Sequence, residues 1–402
     1  MFQLIIDGLI NAASPMNLLF MFIGLVAGAV IGCLPGLSAT MAMAILVPFT
    51  FTMDPATGLV MLGAIFMGAM FGGSVSAILL NPPGTPAAVA TTFDGYPMTE
   101  QGKSKEALIG AAAASSFGGF IGAIMLLVLT PPLASAALKF GPPEYFWLSI
   151  FGLTTIASLV RASMLKGLMG GMLGLLISTV GIAPVGGVPR FIMGISQLQI
   201  GIHIIVALIG LFCIPEVIKQ LERGVVKHKA NVNAVGSMFS PVIDVLKSPI
   251  NVIRSGIIGG LIGTLPGAGA NVGGLVAYSE AKRWSKKSEQ FGKGNIEGVI
   301  ASESANNAAV SGSLVPLLSL GIPGAPPVAI LLGALLIHGI QPGPKLFVDY
   351  ALIAYTFMAS LVFASIILFP VGLFGGKALA KIMDAPINLL MPVIVFLCII
   401  GT

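Results

Sequence analysis

The stretch I-G-C-L-P-G-L-S-A, at residues 31–39, is repeated 231 positions later as I-G-T-L-P-G-A-G-A, at residues 262–270. Each copy places a Pro-Gly pair inside a long apolar run. Proline removes a backbone N–H donor and glycine adopts a left-handed backbone at little cost, so the pair ends one helix and turns the chain. The repeat therefore predicts two helical hairpins of the same design.

The composition places these hairpins in a membrane. Hydrophobic residues make up 56% and charged residues 9% of the 402 residues, and the mean hydropathy is +1.01. Apolar runs of about 17 to 25 residues recur along the chain, and a run of that length crosses the hydrocarbon core as a helix. The sequence predicts an all-α polytopic membrane protein. Residues 1–14 lack the basic n-region of a cleavable signal, so we expect the N-terminus to be retained.

The distribution of basic residues predicts which side faces the cytoplasm. Seventeen of the 20 lysines and arginines fall in loops on one side, and three, Lys139, Arg190 and Lys345, fall in the loops that alternate with them. Cytoplasmic loops of membrane proteins collect Lys and Arg, so the richer side is predicted to be cytoplasmic. The net charge of +5 is therefore attributed to membrane orientation and not to a nucleic-acid partner.

The same loops predict how each Pro-Gly element enters the membrane. Arg254 and Lys282 flank the second copy on the cytoplasmic side, yet about 28 residues separate them, or about 42 Å of helix. A single crossing would end on the wrong side, so residues 250–284 are predicted to form a re-entrant hairpin. The first hairpin, residues 17–53, lies in a region without Lys or Arg from position 1 to 102, so both its ends are predicted outside. Entry from opposite faces predicts two inverted-topology repeats.

A second pair of breaks follows the hairpins. P-G-T-P at residues 83–86 and P-G-A-P at residues 323–326 each come after a long apolar helix, which predicts broken transmembrane helices over 57–95 and 296–340. The distance from the first break to the second is nine residues longer in the second half of the chain, which fits a polar loop at 285–294.

The predicted organisation has three parts. They are a first repeat over residues 1–222, a cytoplasmic linker over 223–249, interpreted as a plain loop, and a second repeat over 250–402. Ordinary spans are predicted at 105–134, 145–160, 167–181, 200–218, 350–374 and 386–402.

Breaks at membrane depth indicate a binding site, because unpaired backbone groups in hydrocarbon are costly unless protein or a polar cavity receives them. Helix N-termini favour carboxylate oxygens, whereas the carbonyls that end the preceding helices favour a hard cation such as Na⁺. The alternative is that these glycines and prolines only kink helices for packing. The predicted substrate-binding residues are Gly36, Ser38, Thr40, Asn81, Gly84, Thr85, Gly267, Gly269, Asn271 and Gly324, and Leu34 and Leu265 are coupling-ion candidates.

A further polar cluster lies at residues 302–307, S-E-S-A-N-N, about 10 Å along a helix that begins near position 296. Polar groups inside a membrane are functional candidates by default, so Glu303, Asn306 and Asn307 are also coupling-ion candidates. For Glu303 the alternative is that an acid in the first turns of a helix is stabilised by the helix dipole.

Enzymatic functions are disfavoured by specific residues. Gly102-Lys103-Ser104 resembles the end of a phosphate-binding loop, but position 97 is proline where that loop needs its first glycine. The chain has no H-E-x-x-H zinc motif and no G-x-S-x-G nucleophile motif. We therefore expect no catalytic activity, no metal and no cofactor other than the coupling ion.

Four motifs together resemble one known family. They are G-C-L-P-G-L-S-A-T (32–40), G-G-S-V-S-A-I-L-L-N-P-P-G-T-P-A-A (72–88), G-T-L-P-G-A-G-A-N (263–271) and S-L-G-I-P-G-A-P-P (319–327). The chain is similar over nearly its whole length to the large permease subunit of the tripartite tricarboxylate transporters. The resemblance implies a multi-pass protein of the bacterial inner membrane. It also implies a small membrane subunit and a periplasmic solute-binding protein as partners, and ion-driven uptake of citrate-like carboxylates. Members are usually longer, which implies further C-terminal spans.

The mechanism expected from these features is alternating access of the elevator type. A module with both hairpin tips and both broken helices would slide against a scaffold of intact helices. Drawing a trivalent anion into a cell at 100 mV, negative inside, costs about 7 kcal/mol, so we predict cotransport of Na⁺ or H⁺. The alternatives are a passive anion channel and a membrane scaffold for the partner subunits that carries no cargo.

Overall fold

The structure is a computed structural model. It describes residues 2–34, 36–159, 164–183, 186–202, 239–267 and 269–383, with a few residues between 206 and 222. The helices of the first part are α1 Phe2–Ala12, α2 Pro15–Cys33, α3 Ala39–Leu46, α4 Pro55–Leu80, α5 Val89–Glu100, α6 Ser104–Ala137, α7 Pro142–Leu159 and α8 Met164–Ser178. Those of the second are α9 Ser240–Lys247, α10 Pro249–Gly263, α11 Gly269–Trp284, α12 Ile296–Leu320, α13 Pro326–Ile337, α14 Leu346–Asp349 and α15 Ala351–Met383.

Shorter elements connect these helices. Turns of 3₁₀ helix occur at Val47–Thr50, Pro86–Ala88, Ser196–Ile200 and Ser288–Gln290. A two-residue antiparallel pair joins β1, Gly181–Ile182, to β2, Pro189–Arg190. The described chain is otherwise helical or irregular, in agreement with the predicted all-α class.

Four described helices are long and apolar enough to cross a membrane, and they support a multi-pass membrane protein. They are Pro15–Cys33, Pro55–Leu80, Ser104–Ala137 and Ala351–Gly376. A fifth is obtained if α9 and α10, which meet at a 75° bend, form one span. The apolar window of α4 is entirely buried by other helices, so α4 lies at the centre of the molecule.

The predicted ordinary spans fall on helices where the chain is described. Helix α6 covers the segment expected at 105–134. Helix α7 covers 145–159 of the segment expected at 145–160, whose last residue lies outside the described residues, and α15 covers 351–374 of the segment expected at 350–374. Helix α8 ends at Ser178, three residues before the predicted end of its span. The segment 386–402 and most of 200–218 lie outside the described residues, as do positions 223–238 of the predicted linker.

The interpretation of residues 223–249 as a plain loop is wrong at its C-terminal end. Ser240–Lys247 forms α9, which buries Pro241 and Val245 and packs against α6. A short amphipathic helix of this kind is stabilised by burial of one face. The high average polarity of residues 223–249 hides that apolar face when the sequence alone is considered.

Helices α2 and α4 run parallel to each other. The Thr57 hydroxyl donates to Asn17 Oδ1 at 2.7 Å where both helices begin. Further along, a Cβ added to Gly24, Gly28 or Gly32 would meet the backbone carbonyl of Met61, Ile65 or Ala69 in turn, so only glycine permits this approach. Because both helices start at the same end, α3 and the turn Val47–Thr50 must carry the chain back from the end of α2.

The second half of the chain repeats this geometry. The Asn251 amide donates to the Glu297 carbonyl at 3.0 Å near the starts of α10 and α12. A Cβ on Gly259 would meet the Ala305 carbonyl, and one on Gly263 would lie 2.9 Å from the Ala309 carbonyl. These two contacts are the counterparts of those made by Gly28 and Gly32 in the first half. The glycines are displaced by 231 positions, and the carbonyls that they meet are displaced by 240. Helix α11 thus returns the chain to the end where α10 began.

Helices α4 and α12 cross the centre of the molecule in opposite directions. The Asn306 amide lies 3.4 Å from the Met70 carbonyl, and Ser74 faces Glu303. The later residue of α4 therefore meets the earlier residue of α12. Since α2 is parallel to α4 and α10 is parallel to α12, the two helix pairs point in opposite directions.

Candidate functional site

The two Pro-Gly tips share one backbone conformation. Gly36 has a φ of 91° and Gly267 a φ of 93°, and both values lie in the left-handed region that glycine accepts and other residues resist. Position 35 lies outside the described residues. The matched angles account for the glycine at each tip.

The tips differ in their surroundings. Leu34 is buried, and its carbonyl oxygen accepts the Leu37 N–H at 3.1 Å. This oxygen was predicted to bind the coupling ion, and one of its two lone pairs is used by the hydrogen bond of the turn. Leu265, the counterpart of Leu34, is 56% exposed. The first tip is therefore enclosed by protein, whereas the second lies at the surface of the chain.

A helix begins immediately after each tip. At α3 the Ser38 hydroxyl accepts the Met41 N–H at 3.2 Å and caps the helix, with Thr40 half-buried in the first turn. At α11 the helix begins at Gly269, and Asn271 is half-buried in its first turn. Thr40 and Asn271 occupy equivalent positions of the repeated motif.

The first helix break contacts the first tip. Helix α4 ends at Leu80, and Asn81, with a φ of 76°, is exposed. Gly84 donates its N–H to the Gly73 carbonyl at 3.2 Å, and a Cβ on Gly84 would meet the carbonyl of Gly32. The next helical turn begins after Thr85, whose hydroxyl is buried and has no hydrogen-bond partner.

The second break contacts the second tip. Helix α12 ends at Leu320, and the Gly324 carbonyl accepts the Gly267 N–H at 2.9 Å. Helix α13 then begins at Pro326 with no side-chain cap, because the preceding residue is Ala325. Each half of the chain thus places its hairpin tip against its own break.

The two halves also interlock. A Cβ on Gly274 of α11 would lie 3.3 Å from the Ala87 carbonyl in the turn after the first break, and α3 packs against α13 after the second break. These contacts bring the second arm of each hairpin to the helix that follows the opposite break. In the described contacts, Ser38 and Asn271 do not touch each other directly.

The polar cluster of α12 is at the centre of the molecule. Glu303 is fully buried, the Ser115 hydroxyl of α6 donates to its Oε2 at 2.9 Å, and the Thr91 hydroxyl of α5 donates to its Oε1. Ser74 of α4 and Asn306 of α12 face the same carboxyl group. Four helices therefore meet at this one side chain.

Several buried polar atoms on α12 and at the first break have no hydrogen-bond partner in the described structure. They are Asn306 Oδ1, both side-chain polar atoms of Asn307, the Ser311 hydroxyl and the Thr85 hydroxyl. An unmade hydrogen bond at a buried polar atom costs about 1–3 kcal/mol. Each such atom calls for a partner, which a substrate, an ion or an ordered water can supply. Within the described ranges, no group of three His, Cys, Asp or Glu side chains is placed to hold a metal ion.

Asp94 and its partners were not identified in the sequence analysis. This buried carboxylate accepts the backbone N–H groups of Gly292, Lys293, Gly294 and Asn295 on Oδ1, at 2.8–3.1 Å. The Tyr278 hydroxyl donates to Oδ2 at 2.9 Å. An acid inside the predicted broken helix 57–95, eight residues after the P-G-T-P break, was the available signal. Its partners lie about 200 positions away, so the sequence alone does not identify them.

Comparison with known proteins identifies the family. The sequence profile of the tripartite tricarboxylate transporter TctA family matches residues 18–402. The chain belongs to the TctA family. This TctA-family chain is 38% identical over 394 residues to an uncharacterized 52.8 kDa protein of the TAR-I ttuC' 3' region of Agrobacterium vitis. That match covers 98% of this chain and 78% of the relative.

A second relative matches part of this TctA-family protein. It is an uncharacterized protein of the TAR-II ttuC' 3' region of Agrobacterium vitis, 38% identical over 143 residues, which cover 36% of this chain and 59% of the relative. No solved structure matches the chain. Membership of the TctA family confirms the resemblance drawn from the four motifs and makes this chain a component of a tricarboxylate transport system with partner subunits.

Proposed function

We propose that the protein carries citrate-like carboxylates into the bacterial cell by secondary active transport, coupled to Na⁺ or H⁺. The observation that carries this proposal is the opposed pair of helical units, α2–α4 and α10–α12, each with a Pro-Gly tip against a broken helix. In a membrane these units would be inverted repeats with re-entrant hairpins, an arrangement that secondary transporters use to build a central site.

The substrate site would lie where the breaks and tips meet. The helical turn after Thr85 and helix α13 begin without side-chain caps, so they offer backbone N–H groups and partial positive charge to carboxylate oxygens. The unpartnered Thr85 hydroxyl adds a donor at the same place. On this proposal Gly84, Gly267 and Gly324 let the backbone approach the substrate, and Thr40 and Asn271 supply polar side chains from the two hairpins.

Transport would follow an elevator mechanism. The interlocking of α3 with α13, and of α11 with the turn Pro86–Ala88, supports a module in which both hairpins and both breaks move together. Disulfide cross-linking tests this in a background from which Cys33, Cys213 and Cys398 have been removed. Cysteine pairs that join Ser38 to different positions of the 145–160 span, such as Ser149 of α7, should trap distinct inward and outward states, and one invariant distance would contradict the elevator.

The complete system would include a small membrane subunit and a periplasmic binding protein that delivers the substrate at the inner membrane. This expectation extends the tripartite organisation of the family to this chain. The binding protein would then contribute to the choice of carboxylate, and the permease would supply the ion coupling.

Uptake of radiolabelled citrate into proteoliposomes that contain the chain with its partner subunits tests the function. We expect saturable uptake that rises when a Na⁺ or H⁺ gradient is imposed. Uptake that ignores both gradients, or unitary conductance steps in planar bilayers, would contradict the proposal and favour a passive anion channel.

A further inference from the structure

The Glu303 carboxyl can bind a proton, and its neighbours offer no permanent counter-charge. Its two carboxyl oxygens receive hydrogen bonds from the Thr91 and Ser115 hydroxyls, and Ser74 and Asn306 complete the surroundings. All four neighbours are neutral. An ionised carboxylate buried among neutral groups is costly unless it is paired with a cation.

The charged and titratable groups named here on the neighbouring helices either have other hydrogen-bond partners or lie at the start of their helix. On α5 and α11, Asp94 and Tyr278 bind each other, and on α10 the Arg254 guanidinium contacts Asn251. On α12 itself, Glu297 accepts the Ser285 hydroxyl at 2.6 Å. Helix α4 has no charged residue, and those of α6, Lys105 and Glu106, lie at its start. Among the described residues, no cationic side chain forms an ion pair or hydrogen bond with Glu303.

A protonated Glu303 would also satisfy the adjacent orphan acceptor. Asn306 Oδ1 is fully buried and has no hydrogen-bond partner, and it belongs to the side chain one turn along α12 from Glu303. Rotation of the Asn306 amide by half a turn would present this oxygen to a carboxyl O–H, in exchange for the 3.4 Å contact of the amide nitrogen with the Met70 carbonyl, while the Thr91 and Ser115 hydroxyls continue to donate. A proton therefore fits the donors and acceptors that are present.

We propose that Glu303 binds the proton that is cotransported with the carboxylate. This assignment rests on the proposed function. The carboxylate takes up a proton when the site is open to the outside and releases it to the cytoplasm, so one positive charge accompanies each substrate through this group.

The test uses Glu303→Gln, which imitates the protonated side chain and cannot release a proton. The full chain, copurified with its partner subunits, is reconstituted with the membrane potential clamped at zero. A one-unit inward proton gradient should drive up to about tenfold accumulation of citrate in the unsubstituted protein for each proton coupled. Glu303→Gln should lower this accumulation ratio to one and retain exchange of internal for external citrate. Glu297→Gln, on the same helix, should retain both activities.

A second variant keeps the assignment testable if Glu303→Gln does not fold. Ser115→Ala removes one hydroxyl that stabilises the ionised carboxylate, so the pH dependence of citrate exchange should shift to higher pH. A structural effect alone would lower exchange equally at every pH. Wild-type accumulation by Glu303→Gln, or accumulation that follows a Na⁺ gradient and ignores pH, would overturn the proton assignment and leave the carrier function standing. Absence of citrate exchange in the unsubstituted protein would overturn both.

Discussion

Replacing Asp94 with alanine should destabilise the junction between the two halves of the molecule. The carboxylate accepts four consecutive backbone N–H groups and one tyrosine hydroxyl. These N–H groups belong to the loop before α12, whereas Asp94 lies on α5 after the first break. The side chain therefore fixes the start of one broken helix relative to the end of the other.

The size of the stability loss depends on which of these N–H groups can form hydrogen bonds with water once the carboxylate is removed. The N–H groups of Gly292 and Lys293 belong to exposed residues and can rehydrate, but Asn295 is only 7% exposed and Gly294 is half-buried. Each buried donor left unpaired costs about 1–3 kcal/mol, and the Tyr278 hydroxyl loses its acceptor as well. We expect Asp94→Ala to lower the free energy of unfolding by about 3–5 kcal/mol.

The assay combines equilibrium unfolding in mixed detergent micelles with amide hydrogen exchange. Asp94→Ala should reduce exchange protection at residues 292–295, and Asp94→Asn should recover about half of the stability because a neutral acceptor remains. Glu100→Ala, at the exposed end of the same helix, is the matched control and should change stability by less than about 0.5 kcal/mol. If Asp94→Ala matches this control in both measurements, the loop is not held by Asp94.

Three further predictions concern packing and the tips. Gly28→Ala and Gly259→Ala should each cost about 1–3 kcal/mol on unfolding in micelles, because the new Cβ meets a backbone carbonyl, whereas Gly170→Ala, with open space around it, should be neutral or stabilising. Gly267→Val should abolish citrate uptake, since a β-branched residue does not tolerate a φ of 93°. Normal uptake by this variant would show that the tip conformation is not needed for transport. Asn271→Leu should abolish uptake while size-exclusion behaviour is kept, and unchanged transport would favour a role as a membrane scaffold.

The helix breaks could be predicted from the sequence because their cause is local. Proline and glycine act through their own backbone preferences, so helices end beside Pro-Gly at each tip and each break. The matching contacts of Gly28 with Ile65 and of Gly259 with Ala305 also follow a regularity in the sequence. The two copies of the hairpin motif are 231 positions apart, and the polar loop adds nine residues before the second helix of the pair.

The partners of the buried carboxyl groups could not be predicted. Thr91 and Ser115 meet Glu303 from helices about 200 positions away, and nothing in their own neighbourhoods distinguishes them from other small polar residues. The same applies to Asp94 and its loop. The difference between the tips, with Leu34 buried and Leu265 exposed, also depends on tertiary packing and not on the repeated motif.

The length of α2 limits a simple half-helix interpretation of the first hairpin. Its 19 residues extend about 28 Å, which is enough to cross the hydrocarbon, whereas α10 has 15 residues. Its parallel packing on α4 nevertheless requires the chain to return through α3. Both hairpins therefore return the chain to the end where they began, but their first helices differ in length by four residues.

The most direct test is a density map of the protein in a lipid nanodisc with citrate present. We predict that the elbows at Gly36 and Gly267 lie within the bilayer, that they enter it from opposite faces, and that density for citrate lies between Ser38 and Asn271. An elbow that forms part of one continuous membrane-crossing helix, or two elbows that open to the same face, would contradict the account.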